Sequence, residues 1–356
     1  MVKDRRDFLG KGSKAVAASV LASQLPFFIK SSSPKLSNEI IGHGDFTYKV
    51  QMDWGNLDPT QTPVKDCHEM VQDASGRIIL LTNEVKNNII IYDKSGKLLK
   101  TWGHDYPGAH GLTISDEGGE EFLFITDLAT HKVYKTTLDG NLVMQLDYPV
   151  ESNLYLEENQ YFPTETAIAP NGDIYVTDGY GLQYVFIYDA TGHLKDVFGG
   201  LGSAVNQFAA RWTAHGICID HRKDAHDPTL LIADRNGNRF KRFTMGGKYM
   251  SEIAIPGAYV SRPVIHKNHL YTAVLNSEHP WSVSDSGFVS IIDENDQVVS
   301  NPAANAPIYE DGKLNRLHQT TKVFRHPHDV CIDDDENIYV AQWNSGKTYP
   351  IKLIRV

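Results

Sequence analysis

The chain has 356 residues, enough for a large buried core in one or two domains, and a formal net charge of −10. Its 34 basic residues are scattered rather than clustered, which argues against a broad nucleic-acid-binding face. Frequent glycine (28), 17 tyrosines, 14 phenylalanines and 16 well-spread prolines favour short strands and tight turns over long helices.

In chain order, residues 1–35 read as an export signal and linker. Arg5 and Arg6 precede Asp7, Phe8 and Leu9, and a modest apolar stretch runs from Ala15 to Leu25. This is the pattern of a twin-arginine signal, which carries folded proteins across a bacterial membrane, so a periplasmic or secreted location is expected. The apolar stretch is too short for a stable membrane span.

Residues 40–356 read as one domain built from repeats. Each copy has an apolar strand, a turn of the D-x-x-G or P-N-G type, a second strand ending near an aspartate, and a third strand often reading I-Y-D. Copies begin near His68, His110, Pro163, His215 and His326, with a degenerate one at Ser261. Residues 279–285 then form a loop inserted in the degenerate copy. A period of roughly 40 to 60 residues with several short strands per copy is the signature of a β-propeller. The fold expected is therefore all-β, a six-bladed β-propeller, or seven-bladed if residues 256–320 hide two copies. Phe46–Trp54 supplies the outermost strand of the last blade and closes the ring. The odd number of cysteines (Cys67, Cys218, Cys331), all in apolar strand-like runs, reads as buried thiols.

Aligned on the first strand of each blade, His68, His215 and His328 each precede an aspartate by five residues, and His110 precedes Ser115 by the same step. Thr164 holds the place in blade three. These residues open the innermost strands and face the central channel. His110, His215 and His328 belong to blades two, four and six, which stand about 120° apart in a six-fold ring. One such histidine would be a polar residue bonded to backbone. Three converging on the axis suit zinc or another divalent transition metal, with an open position for water or substrate. His68 shares the register as a candidate fourth ligand, a supporting residue or a channel-lining one. The second strands end at Asn83, Asp127, Asp178, Asp234 and Gln342, where the aspartates read as acceptors for backbone hydrogen bonds. Tyr180 and Arg235 follow two of these positions without being required by the repeat. A tyrosine can act as base or acid beside a cation, and an arginine can hold a carboxylate.

The blade phrases resemble NHL repeats, and most of residues 45–356 is similar to the peptidyl-α-hydroxyglycine α-amidating lyases. The matching segments are A-H-G-L around His110, A-H-G-I around His215, P-H-D-V around His328, D-G-Y at Asp178–Tyr180 and A-D-R at Ala233–Arg235. The resemblance implies zinc on the three histidines, Tyr180 as the catalytic tyrosine, and Arg235 in the active site. It also implies a structural calcium that takes Asp329 and backbone carbonyls such as that of Leu112. Departures are the family's second functional arginine, whose place holds Asn83, the family disulfides, and the monooxygenase partner domain. Asn83 thus stands as a substrate-binding position in an altered form. The activity implied is a metal-dependent lyase acting on a small-molecule or peptide carbinolamide, releasing an amide and glyoxylate or a similar aldehyde. Two other classes fit the blades: a non-catalytic propeller binding a peptide, glycan or partner protein in the cell envelope, and a calcium-dependent hydrolase. The last would want carboxylates and asparagines around its cation, where this register presents imidazoles.

Overall fold

The computed structural model describes residues 36–277 and 286–356. The export signal and residues 278–285, which include the whole of the expected blade-five insertion, lie outside the described residues. No helix among the described residues is long and apolar enough to cross a membrane.

Six antiparallel sheets form the ring. Blade one comprises Cys67–Gln72, Ile78–Thr82, Ile89–Tyr92 and Leu98–Trp102. Blade two comprises Ala109–Asp116, Glu121–Asp127, Lys132–Thr137 and Leu142–Leu146. Blade three runs from Glu165–Ile168 out to Leu194–Gly199, and blade four from Ala214–Asp220 out to Tyr249–Ala254. Blade five contains Ala258–His266, His269–Ser277, Phe288–Ile292 and Val298–Ser300. The region read as one or two blades therefore forms a single sheet, followed by a small hairpin of Tyr309–Glu310 with Lys313–Leu314. The first strands of successive blades pack against one another all the way round the axis.

Blade six closes the ring across the chain ends. Its inner strands, Pro327–Ile332, Ile338–Gln342 and Ile351–Arg355, are joined by Phe46–Gln51, with Tyr48 opposite Arg355 and Gln51 opposite Lys352. A further strand, Leu36–His43, pairs outside Phe46–Gln51 and makes this sheet five-stranded. Residues beyond Gln51 turn inward instead of extending the strand. Trp54 is buried between blades six and one, its ring 5.1 Å from that of Tyr92 and 4.6 Å from that of Tyr339.

The repeat phrase has a plain physical meaning. In D-x-S/T-G-x, one aspartate oxygen accepts the backbone N–H groups two and four residues on. Asp73, Asp93 and Asp189 all do this, which closes the hairpin without external partners. The fourth turn residue must be left-handed, hence Gly76, Gly96 and Gly192. Blades five and six build the same turn on Asp293 and Asp333 with Asp296 (φ 62°) and Glu336 (φ 61°) in that strained place. The core lies as apolar wedges between blades: Val71, Ile79, Leu112 and Leu123 fill the wedge between blades one and two. All three thiols are free; Cys67 and Cys331 are buried and Cys218 is half-buried.

Candidate metal centre and its cavity

The innermost strands do not run as regular ladders where they reach the top of the channel. The pairing register shifts between Cys67 and Glu69, Ala109 and Leu112, Ala214 and Ile217, Val260 and Pro263, and Pro327 and Asp329. Each shift is a bulge, and a bulge re-aims the side chain it carries. His68, His110, His215, Ser261 and His328 sit in these five bulges, so the local irregularity turns the register residues toward the axis. Thr164 stands in the equivalent place of blade three and is fully buried.

The four histidines meet there, each exposed by 4% or less. Ring centroids are 4.8 Å apart for His68–His110 and His110–His215, and 4.9 Å for His68–His328, His110–His328 and His215–His328. The ligating nitrogens of His68, His110 and His328 all lie within 4.8 Å of one another. His68 thus belongs to the tight group. His215 adjoins it through His110 and His328, and its Nε2 lies 3.2 Å from the Tyr180 hydroxyl. That hydroxyl is also 3.4 Å from His110 Nε2.

Several contacts prepare these rings for a cation. His110 Nδ1 lies 2.8 Å from the Thr164 carbonyl and His328 Nδ1 lies 2.9 Å from the His68 carbonyl. Donation to a carbonyl places the proton on Nδ1 and leaves the Nε2 lone pair free, which is how metal-binding imidazoles are usually oriented. His68 Nδ1, His215 Nδ1 and His328 Nε2 are buried with no hydrogen-bond partner. Leaving such groups unpaired in a dry site is costly, and a cation would satisfy them. Burial lowers the pKa of His68 from 6.5 to about 3, with Lys65 adding to it. Burial, then neighbouring charges, holds His110, His215 and His328 well below the ordinary histidine range. All four imidazoles are neutral at neutral pH, as metal ligands must be. The residues therefore fit a divalent transition metal.

Tyr180 reaches the cluster from the turn after Ile174–Thr177. A Cβ on the preceding Gly179 would lie 2.4 Å from the Ala214 carbonyl oxygen, so glycine is what lets this turn lie against blade four. Burial raises the Tyr180 pKa and the Arg235 guanidinium beside it pulls the other way. Arg235 is 5% exposed and is fixed from blade five, donating to the Val260 carbonyl at 3.1 Å and to Ser261 Oγ at 3.0 Å. Above these groups opens a cavity of about 470 Å³ whose walls include Phe162, Tyr180, Trp212, Arg235, Tyr259, His328 and Trp343. Apolar and aromatic walls with a few convergent polar groups are the usual character of a small-molecule site.

Three expected positions lie elsewhere. Asn83 does not line the cavity; its side chain accepts from the Asp66 N–H (3.0 Å) and donates to the Asp66 carboxylate (3.1 Å), closing a turn. Asp329 and the Leu112 carbonyl lie below the histidines, and Arg262 already engages them, donating to both Asp329 oxygens and to Leu112 O. These residues do not fit a calcium ion while Arg262 holds them. Arg262 itself was hidden in the sequence by the degeneracy of blade five. Its signal is positional: it stands one residue after the register position, like Glu69 and Asp329.

No family model matches the chain. Over 254 residues it is 24% identical to the probable peptidyl-α-hydroxyglycine α-amidating lyase pgal-1 of Caenorhabditis elegans, covering 69% of this chain and 64% of the relative. Over 279 residues it is 26% identical to peptidyl-α-hydroxyglycine α-amidating lyase 1 of Drosophila melanogaster, covering 70% of this chain and 46% of the relative. Over 98 residues it is 30% identical to human NHL repeat-containing protein 3, covering 26% of this chain and 28% of the relative. Each match spans less than two thirds of the relative's own length. Among solved structures, virginiamycin B lyase of Staphylococcus aureus superposes with a TM-score of 0.52 at 14% identity over 88% of both chains. A gluconolactonase of Xanthomonas campestris does so with a TM-score of 0.57 at 11% identity, over 91% of this chain and 95% of the other. At these identities the structural likeness speaks to the fold alone. The chain is a six-bladed β-propeller related to known propeller lyases and NHL-repeat proteins.

Proposed function

We propose that this protein is a metal-dependent lyase that cleaves a peptidyl-α-hydroxyglycine or related N-acyl carbinolamide into an amide and glyoxylate or a similar aldehyde. The observation that carries this reading is the Tyr180 hydroxyl, set 3.2 and 3.4 Å from two buried imidazoles on the floor of a cavity that also holds Arg235. His68, His110 and His328, with His215 adjoining, are the residues that would hold zinc or another divalent transition metal. When bound, such a cation polarises the substrate hydroxyl and adds positive charge beside Tyr180.

The protein's own residues supply the rest. Tyr180 takes the proton from the carbinol hydroxyl as its C–O bond becomes a carbonyl. The C–N bond breaks, its electron pair goes to the amide nitrogen, and the proton is returned there. Arg235 favours the phenolate form of Tyr180 and faces the substrate carboxylate. Phe162, Trp212, Tyr259 and Trp343 surround the acyl part and keep water from the reacting carbon. Because Asn83 is tied to Asp66, the carboxylate has Arg235 as its anchor, and the acyl pocket carries more of the selectivity. The Arg5–Arg6 segment supports export to the periplasm or medium.

The direct test is a coupled assay for glyoxylate from an N-acyl-α-hydroxyglycine, run on the metal-loaded protein beside Tyr180→Phe. No release above the uncatalysed rate with any divalent transition metal would overturn the reading. A second reading is favoured by one observation: four imidazoles, not three, share the nest. If all four close around one ion, no position is left for substrate, and the protein is a non-catalytic propeller with a structural metal. X-ray absorption at the metal edge distinguishes four imidazole ligands from three plus an exchangeable oxygen.

A further inference from the structure

One residue past the register positions, the six inner strands present Glu69, Gly111, Glu165, Gly216, Arg262 and Asp329 to the axis, directly beneath the histidines. The Arg262 guanidinium sits among them. Its Nε and Nη2 donate to the two Asp329 oxygens (3.0 and 2.7 Å), Nη1 donates to the Leu112 carbonyl (2.7 Å) and Nη2 to the Met70 carbonyl (3.0 Å). Glu69 Oε2 lies 3.4 Å from Nη1, and Glu165 Oε2 lies 3.8 Å from Nε. One side chain of blade five thereby contacts blades one, two, three and six.

The partners are three carboxylates and two carbonyls, an all-oxygen set of the kind that hard divalent cations take. Glu69, Glu165 and Asp329 are exposed by 1% or less. Glu69 Oε1 and Glu165 Oε2 are buried with no hydrogen-bond partner, so the shell is richer in acceptors than the guanidinium uses. Room for the arginine comes from glycine: a Cβ on Gly216 would lie 2.5 Å from Arg262 Cα and 3.1 Å from its Cβ. A planar guanidinium matches the Asp329 carboxylate edge to edge, which a spherical ion does not require.

We propose that Arg262 is a built-in cation that holds the place of a divalent ion on the ring axis, so that this layer is calcium-independent as it stands and a latent hard-cation site once the guanidinium is removed. The inference is independent of the reaction proposed above, since it concerns the layer below the histidines.

The test compares calcium binding and thermal unfolding of the full-length protein and Arg262→Ala. Equilibrium dialysis with calcium chloride should find no saturable ion on the wild type, and its melting temperature should be the same in millimolar calcium and in chelator. Arg262→Ala should melt lower in chelator, bind one calcium ion, and regain most of the lost melting temperature in millimolar calcium. Adding Asp329→Asn to that variant should abolish the recovery. If Arg262→Ala is insoluble without cation, refolding in millimolar calcium reads the same property: recovery of folded protein supports the proposal, and failure counts against it. Saturable calcium binding by the wild type overturns it, as does an Arg262→Ala variant that is stable without calcium or indifferent to it.

Discussion

Two layers of the same six strands, one residue apart, solve the problem of a buried polar axis in opposite ways. The upper layer collects neutral imidazoles and leaves three of their nitrogens without partners. The lower layer collects three carboxylates and brings its own cation, Arg262. The upper layer has no side chain that satisfies these nitrogens, while the lower one pairs Asp329 from within and leaves Glu69 Oε1 and Glu165 Oε2 without hydrogen-bond partners. A buried polar site that stays unsatisfied costs stability, which marks the histidine layer as a candidate functional site. The layer beneath it is a platform: Met70 N–H donates to Asp329 and Leu112 N–H donates to Glu69, binding the strands that carry the histidines.

The contrast can be broken most completely from above. The triple variant His68→Ala/His110→Ala/His328→Ala should lose bound transition metal altogether, read by elemental analysis, and stay folded. Retention of the wild-type metal content would move the metal site elsewhere. Tyr180→Phe should keep the metal and lower the rate of glyoxylate release by about a hundredfold or more, the usual worth of a positioned acid–base group. From below, Arg262→Met in the absence of calcium should cost about 3–5 kcal/mol in denaturant unfolding, because it strands buried carboxylates without their partner. Acid should separate the layers further. His68 has its pKa lowered from 6.5 to about 3, so the unfolded chain takes up a proton below pH 6.5 that the folded one refuses. Stability of the metal-free protein should therefore be whole above pH 6.5 and fall toward pH 3, by about 1.4 kcal/mol per pH unit for each such histidine. The triple alanine variant should show a flatter acid limb in thermal melts. The smallest effect belongs outside both layers: Asn83→Ala should cost about 1 kcal/mol through its turn and leave product release unchanged.

Much of this was legible before the fold was known. The D-x-x-G hairpins and strand-ending aspartates announced the blades because the turn chemistry is local, carried by Asp73, Asp93 and Asp189 within five residues each. The register of His68, His110, His215 and His328 was legible for the same reason. Which three imidazoles crowd most closely was not. Bulge size alone does not decide it: blades two and four carry two residues between their shifted pairs, yet His110 stands in the tight group with His68 and His328 while His215 lies beside it. Arg262 showed only its position in the register, because its partners come from blades up to 193 residues away along the chain. The fifth strand of blade six was missed because Leu36–His43 pairs outside a strand already thought to be the last.

That closure has a mechanical side. Phe46–Gln51 lies alongside Ile351–Arg355, so the two ends of the repeat array are held edge to edge by a single ladder. A force pulling the ends apart loads this ladder together with the bonds that tie His43 and Phe46 to Ser300 and Asn301 of blade five. The ends are also neighbours in space, so a chain cut in an exposed turn of another blade and rejoined across them would keep every sheet. The ring is thus indifferent to where its chain starts, and sensitive to whether this seam holds.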